Sequence, residues 1–376
     1  MLALAGPAKY HLFDLGAELH SRGLLAGLLT GYPKGRLGGL GVPSEKIVSL
    51  PHFHVLYRVL TRLGWKLEYR DRVAFDLLAS RSLPPADVYH LIAGSALRTI
   101  RAAHKAGRKV VVDRPCSHIV VQDRLLRGEF EFSGVPFRGI DPRVVAQERQ
   151  EYEEADVITV PSEFAKRSFL EMGFAPERVR VVPYGVSLER FQPLGGRDPE
   201  AFVAMFAGFA SVRKSVPRLL KAFETVRHPR KRLVLVGEIG RDVRRHIEAA
   251  RPLGWLDVRG HVPQTSLKGL MSQASVLVLP SIEDGYGVVM SQAMACGTCV
   301  LASQNTGAEM LITPEQDGLI VPAGDTEALA AGLQRLADDP ALVARLGEGA
   351  LQRARSLGGW SSYCDGVVAM ARELLP

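Results

Sequence analysis

Cysteine is scarce in this chain, four among 376 residues, at positions 116, 296, 299 and 364. A disulfide framework needs more of them at paired spacings, so the count points to a reducing compartment. Cys296 and Cys299 form a C-x-x-C, but no second pair or His cluster accompanies it, and neither a metal nor a redox role is expected. Long apolar runs are missing as well. No stretch of eighteen apolar residues occurs, and the seven residues up to Pro7 are too short for a signal peptide, so the protein is expected in the cytoplasm. No repeat of 20 to 50 residues appears, which argues against a solenoid. What is present is a 47% hydrophobic composition, sufficient for two globular domains with a core each.

Apolar strand-like runs alternate with amphipathic stretches along the whole chain, the pattern of parallel sheets covered by helices on both faces. In the first half the runs are residues 24–30, 88–93, 109–113, 157–161 and 179–183. In the second half they are 202–206, 233–236, 256–259, 276–279, 299–303 and 319–321. Between the two sets, residues 184–199 are dense in glycine and proline and read as a linker.

Residues 280–303 carry the strongest chemical signal. An apolar strand runs into Pro280-Ser-Ile-Glu-Asp-Gly-Tyr-Gly287, then a helix from about Val288, a stop at Cys296-Gly297 and another β-branched strand. Gly285 and Gly287 allow the turn's backbone close to a ligand, and the helix behind adds the positive end of its dipole. A diphosphate is the natural guest.

This segment resembles the nucleotide-sugar loop of retaining glycosyltransferase family 4, whose members pair two Rossmann-like domains across a cleft in the α/β arrangement called GT-B. There the loop reads Pro-Ser-x-x-Glu-Gly-Phe-Gly, with a second Glu eight residues after the first. Here those acidic positions fall on Asp284 and Gln292, and both depart from the pattern. The resemblance implies that Asp284 holds donor-sugar hydroxyls and Gln292 the ribose, the latter through a neutral hydrogen bond in place of a charge-assisted one. It also implies that the amides of Gly285, Tyr286, Gly287 and Val288 carry the diphosphate. The segment Pro183-Tyr-Gly-Val-x-x-x-x-Phe-x-Pro193 matches the family's domain junction. The expected division is an acceptor-binding domain over 1–193, a nucleotide-sugar domain over 194–358, and a last helix over 359–376 crossing back to the first domain.

The second domain opens with Phe206-Ala-Gly-Phe-Ala-Ser-Val-Arg-Lys-Ser215, similar to the family's Gly-Arg-x-x-x-x-Lys-Gly. The resemblance puts Gly208 on the Gly and Lys214 on the Lys that neutralises the diphosphate. Phe209 stands where the family has Arg, and Arg213 is the substitute cation. Cations at a helix start are locally unfavourable, which favours a ligand-related reason for the pair. After the strand 109–113 comes Arg114-Pro-Cys-Ser-His118, at the strand end where open α/β sheets place ligands. The resemblance implies a histidine touching the donor sugar. His118 is the expected residue and His90 its competitor. Gly6 is the candidate for the family's glycine loop after the first strand.

Charge bears on the acceptor. Residues 1–190 carry 27 Lys and Arg against 21 Asp and Glu, and the remainder 20 against 19. The surplus concentrates in residues 51–72, where Arg58, Arg62, Lys66, Arg70 and Arg72 interleave with Phe53, Tyr57, Trp65 and Tyr69. Such a segment suits an anionic membrane face and a lipid-linked glycan, or equally a surface helix with its aromatics inward. Nucleic acid is not expected, since no binding motif accompanies the charge. The expectation is a retaining transferase that uses a nucleotide-diphosphate sugar as co-substrate, with no metal and no further cofactor, acting on a glycan or lipid-linked acceptor. Two alternatives stay open: a sugar-nucleotide-binding protein without transfer, and another enzyme of the same architecture such as an epimerase or a phosphorylase.

Overall fold

The computed structural model describes residues 1–8, 11–37, 39–50 and 68–375. Two parallel sheets organise it. The first contains β1 (Leu2–Gly6), β2 (Leu25–Thr30), β3 (Ile47–Ser49), β4 (Val88–Ile92), β5 (Lys109–Asp113), β6 (Val157–Val160) and β7 (Val179–Val181), in the order β3-β2-β1-β4-β5-β6-β7. The second contains β8 (Phe202–Ala207), β9 (Lys231–Val236), β10 (Leu256–Gly260), β11 (Val276–Leu279), β12 (Cys299–Ser303) and β13 (Gly318–Val321), in the order β10-β9-β8-β11-β12-β13. Strand order reverses between β1 and β4, and again between β8 and β11, making each sheet doubly wound. Crevices for ligands open at the carboxyl ends of such reversals.

Eleven of these strands coincide with the runs read from the sequence to within two residues at each end. β1 and β3 go beyond that reading. β1 is an interior strand of its sheet, between β2 and β4, yet alternates Leu2 and Leu4 with Ala3 and Ala5, and alanine carries little strand preference. Tertiary packing decides it: Leu2 and Leu4 enter one core, Ala3 and Ala5 the other. β5 divides the same way, with Val111 on the first face and Val110 and Val112 on the second. Asp113 therefore points to the side of Val111, and Arg114 to the opposite side. Burying a Leu such as Leu4 or Leu28 contributes about 1.5–3 kcal/mol.

Local sequence sets the helix boundaries that matter for the site. Gly287, left-handed at φ 58° and ψ 59°, precedes the helix Val288–Ala295, and Gly297 at φ 71° follows its end. Asp141 caps Pro142–Glu154, which has proline at its first position. The helix Trp360–Glu373 lies on the first domain. Arg22 binds Asp365 at 2.5 Å, Arg180 binds Glu373 at 2.8 Å, and the Tyr363 ring meets Tyr184 edge-on at 5.4 Å. Where this second crossing passes the first, a Cβ on Gly185 would fall 2.3 Å from the backbone of Gly359 and Trp360. Only glycine permits that approach.

Residues 51–67, most of the basic aromatic segment, lie outside the described residues. Of the remainder, Tyr69 lies under the Arg143 guanidinium, 4.7 Å from its ring centroid. Arg72 is tied to Glu68 at 2.8 Å and to the buried Glu148 at 3.1 Å, so it is not part of an unpaired basic face. Among the described residues, no helix is long and apolar enough to cross a membrane.

Candidate active site

At the β8–β11 reversal the chain leaves β8 through Gly208 and β9 through Gly237, both at positive φ. A Cβ on Gly237 would sit 2.0 Å from the Gly208 carbonyl oxygen, so this contact requires glycine at 237, while Gly208 meets no neighbour and is favoured by its φ of 142°. Beside them opens a hollow of about 400 Å³, walled by Phe209, His261, Val262, Leu267, Val289 and Gln292. Phe209 is 54% exposed on its rim, an unusual place for a large apolar ring. Gly208 and Gln292, two of the residues expected from the sequence, thus share one concavity.

The loop after β11 is pinned from two sides. Ile282 N donates to the Arg213 carbonyl at 3.1 Å, Asn305 Nδ2 to the Ile282 carbonyl at 2.9 Å, and Asp284 N to the Asn305 carbonyl at 2.9 Å. Adjacent acids then meet adjacent cations: Glu283 pairs with Arg213 at 2.7 Å, and Asp284 with Lys214. Lys214 and Asp284 are thereby brought together directly, whereas the sequence assigned them to different parts of a ligand. Ser215, next in the chain, is buried at φ 51°, in a region that costs a non-glycine residue of order 1–3 kcal/mol. It occupies the glycine of the family's Lys-Gly, so strain is held beside Lys214.

Arg213 needs correction. Its Nε donates to the Glu283 side chain and to the Glu283 carbonyl at 3.2 Å, and an Nη donates to Cys116 Sγ at 2.9 Å. It is committed to the junction of the two domains. The expected reason for Gly285 also changes. A Cβ there would lie 1.9 Å from the Pro115 carbonyl oxygen, so the backbone of the first domain by itself requires glycine. Tyr286 is buried, its ring 5.5 Å from Tyr184. Gly287 serves the left-handed turn into the helix of Val288; Met290 N donates to the Gly287 carbonyl at 2.8 Å, and the amides of Val288 and Val289 are left without intrahelical partners.

His118 is the clearest departure from expectation. Its ring is 1% exposed and packed among Tyr152, Phe169 and Phe174 at centroid distances of 5.0–5.8 Å. Its Nδ1 accepts from Val120 N at 3.2 Å, capping the helix Ile119–Phe132, and its own N–H donates to Ser168 Oγ at 2.7 Å. Burial pushes its pKa down to about 4, with the Arg114 charge adding to the shift. A ring so enclosed is a neutral cap and not a sugar contact. His118→Ala should therefore cost about 2–4 kcal/mol of stability, from the lost ring and cap. Transfer per folded molecule should stay within about twofold. Calorimetry with active-site titration checks this, and inactive enzyme of normal stability would restore His118 to the site.

His90 is not in the cleft either: it is fully buried, with Nε2 3.1 Å from Asp113 Oδ2. The same oxygen receives His11 Nε2 at 2.5 Å, and the His11 ring stacks on Tyr184 at 4.2 Å. Asp113 is held well below the usual carboxylate range, the two histidines outweighing its burial. Sequence reasoning missed His11 and Asp113 as a pair, since 102 residues separate them. The available signal was a strand-end acid at the edge of β5. Gly6 packs against Ile92 and Leu12, where a Cβ would come within 2.9–3.0 Å. Cys296 and Cys299 are buried free thiols, raised to about 11 and about 12 by burial.

A second cavity, of about 770 Å³, lies in the first domain. Tyr69, Arg72, Arg114, Gln122 and Arg138 line it, and Arg213 closes it from the second domain. Arg213, which binds Glu283 in the loop of Asp284, links this cavity to that loop.

Comparison with known proteins assigns this architecture. The family model Glycosyltransferase Family 4 matches residues 8–190, and the model Glycosyl transferases group 1 matches residues 189–353. A D-inositol 3-phosphate glycosyltransferase of Streptomyces bingchenggensis is 34% identical over 239 residues, 57% of this chain and 52% of that protein. An MMP alpha-(1->4)-mannosyltransferase of Mycolicibacterium hassiacum is 28% identical, over 62% of this chain and 57% of that one. The chain spans about half the length of the curated relatives it matches. Among solved structures, sucrose-phosphate synthase from Thermosynechococcus elongatus superposes with a TM-score of 0.74 at 21% identity, covering 99% of this chain and 98% of that one. Anabaena HepE in complex with UDP-glucose superposes at 0.72 and 16% identity, covering 99% of both. Two doubly wound sheets meeting at a glycine loop thus have the GT-B fold, and with both halves of the family matched in order, the chain belongs to the group 1 glycosyltransferases.

Proposed function

We propose that this protein transfers a sugar from a nucleotide-diphosphate sugar to an acceptor hydroxyl, with retention of configuration and without a metal. The observation that carries the reading is the Lys214–Asp284 pair, set at the reversal of the second sheet beside the hollow that holds Gln292. The hollow takes the nucleoside, with Gln292 on the ribose. The diphosphate lies against the first-turn amides of Val288 and Val289 and on Lys214, a fixed cation for the charge that grows on the leaving phosphate. As Lys214 turns to phosphate, Asp284 is released to accept from the sugar hydroxyls. The acceptor hydroxyl approaches from the first-domain cavity on the face the phosphate leaves, and the phosphate oxygen takes its proton. No protein nucleophile takes part.

The acceptor in this reading is a glycan or a lipid-linked glycan presented at the cytoplasmic face of the membrane. Support for the donor comes from HepE, of like fold, whose structures hold UDP and UDP-glucose. The test is thermal shift against uridine, guanosine and adenosine diphosphates and their sugars. A ligand at a hundred times its dissociation constant should stabilise the fold by about 2.7 kcal/mol. Gln292→Glu should tighten binding by restoring a charged acceptor to the ribose, by about tenfold. Stabilisation by none of the panel overturns the reading. Stabilisation with no turnover, on lipid extract or on water, would leave a binding protein.

A further inference from the structure

Glu283 is the acid beside the one that the motif explains, and it is fully buried at the junction of the domains. Its carboxylate accepts four hydrogen bonds. Three come from the first domain: Ser117 N at 2.9 Å, Ser117 Oγ at 2.8 Å and Gln122 Nε2 at 2.8 Å. The fourth is Arg213 Nε at 2.7 Å. Burial alone would raise its pKa, but Arg213, Gln122 and Ser117 hold it down to about 2, so the group is a carboxylate at any working pH.

The neighbours of Glu283 give this bond its reach. The next three residues of the loop are Asp284 on Lys214, Gly285 against the Pro115 carbonyl, and Tyr286 against Tyr184. Three of the four loop residues, 283, 285 and 286, thus rest on the first domain, and Asp284 pairs with a residue of its own. Other ties between the domains lie elsewhere: Arg218 binds Glu129 at 2.7 Å, and Arg245 reaches the Ser133 carbonyl at 2.8 Å, both at the far end of the helix Ile119–Phe132. Those ties hold the domains together without touching the donor loop.

We propose that Glu283 is a positioning residue that registers the donor loop on Ser117 and Gln122, so that Asp284 is aligned for transfer only while the first domain is docked. The inference rests on the donor reading given above, and it adds a coupling between the domain that offers the acceptor and the side chain that holds the sugar. A neutral amide cannot replace the carboxylate, because one end of it would point its N–H₂ at the donors of Gln122 and Arg213. Exchanging the two groups, Glu283→Gln with Gln122→Glu, puts an acceptor and a donor back in register between positions 122 and 283, with Arg213 Nε still facing the amide, so the recovery is partial.

The experiment compares wild type, Glu283→Gln, the exchanged double variant and Ser117→Ala, with Arg218→Ala as a tie remote from the loop. UDP affinity is measured by calorimetry, and transfer and donor hydrolysis from UDP-glucose in lipid extract. Glu283→Gln should lower kcat for transfer about a hundredfold, the scale of a 1 Å misplacement, with UDP affinity changed less than about threefold. Hydrolysis should fall less than transfer. Ser117→Ala, which keeps the fold and loses one donor, should lower kcat about threefold to tenfold, and the exchange should recover at least a tenth of wild-type kcat. Arg218→Ala should leave the ratio of transfer to hydrolysis unchanged. A Glu283→Gln enzyme with normal kcat, or one whose loss is matched by UDP affinity, overturns the inference, as does an unrescued exchange beside an unaffected Ser117→Ala. If wild type fails to bind UDP or turn over UDP-glucose, the same assays use the guanosine and adenosine diphosphates and their sugars; failure with all of them counts against the donor reading, and the melting temperatures of the exchange and of each single variant then measure the Glu283 coupling by itself: additive losses overturn it.

Discussion

Asp284→Asn is expected to lower the rate of sugar transfer by about a hundredfold to a thousandfold, the range seen when one charge-stabilising hydrogen-bond partner is removed from a transition state. The site gives the substitution two effects. In the proposed reading it removes a charged acceptor from the sugar hydroxyls, and it frees Lys214 from its resting partner. The nucleoside diphosphate selected by thermal shift should then bind as tightly as in wild type or more so, because Lys214 no longer has to leave a carboxylate to reach phosphate. Lys214→Ala acts in the opposite sense on binding. It should weaken that nucleotide by about tenfold or more, and lower stability by about 1–2 kcal/mol, because Asp284 is left largely enclosed without a counter-charge. The double variant tells the two roles apart: if the pair is broken by the donor, the two losses in transfer will not add. Steady-state kinetics, calorimetry with the selected nucleoside diphosphate and melting curves supply all three quantities. Weaker nucleotide binding in Asp284→Asn would show that the carboxylate holds the nucleotide and not the sugar.

Gly285→Ala should be nearly as damaging, for a reason that has no counterpart in ligand chemistry. The added methyl would stand 1.9 Å from the Pro115 carbonyl oxygen and 2.6 Å from its carbon, and both are backbone atoms that cannot rotate away. Either the loop withdraws from the first domain or the domains part. Transfer should fall by about a hundredfold, as expected of a displacement near 1 Å at the reacting centre. The second domain should keep its fold, since the strands on either side of the loop are untouched. Small-angle scattering would separate a parted pair of domains from a shifted loop. Wild-type kinetics in this variant would mean that the observed contact between Gly285 and Pro115 is not the one used in transfer.

The two glycines of the loop show how far the sequence was legible. Both were read as letting the backbone approach a ligand. Gly287 also makes a left-handed turn, at φ 58°, which follows from its local place between strand and helix. The contact that makes Gly285 obligatory was out of reach, because the atom it must avoid belongs to a residue 170 positions earlier. His118 illustrates the same limit. A histidine after a strand can cap a helix or face a ligand, and the choice depends on whether Tyr152, Phe169 and Phe174 close around it. The sequence does not state where those rings will be. Arg213 was likewise found as a cation near the site, but its partners Glu283 and Cys116 were not.

By itself, the sequence determined the α/β class, the strands with β-branched cores, the linker, the glycine loop with its helix, and the family. All of these rest on patterns local in the chain: alternation, turn residues and a contiguous motif, whose physics needs neighbours only a few residues away. Tertiary structure alone decided that Leu2–Gly6 forms an interior strand of the first sheet, that Asp113 gathers His11 and His90, that Lys214 rests on Asp284, and that Glu283 is held by the first domain. Each of those is a contact between segments brought together by folding. Its strength comes from burial, which removes competing water from a charge, and burial is a property of the assembled molecule rather than of any stretch of chain.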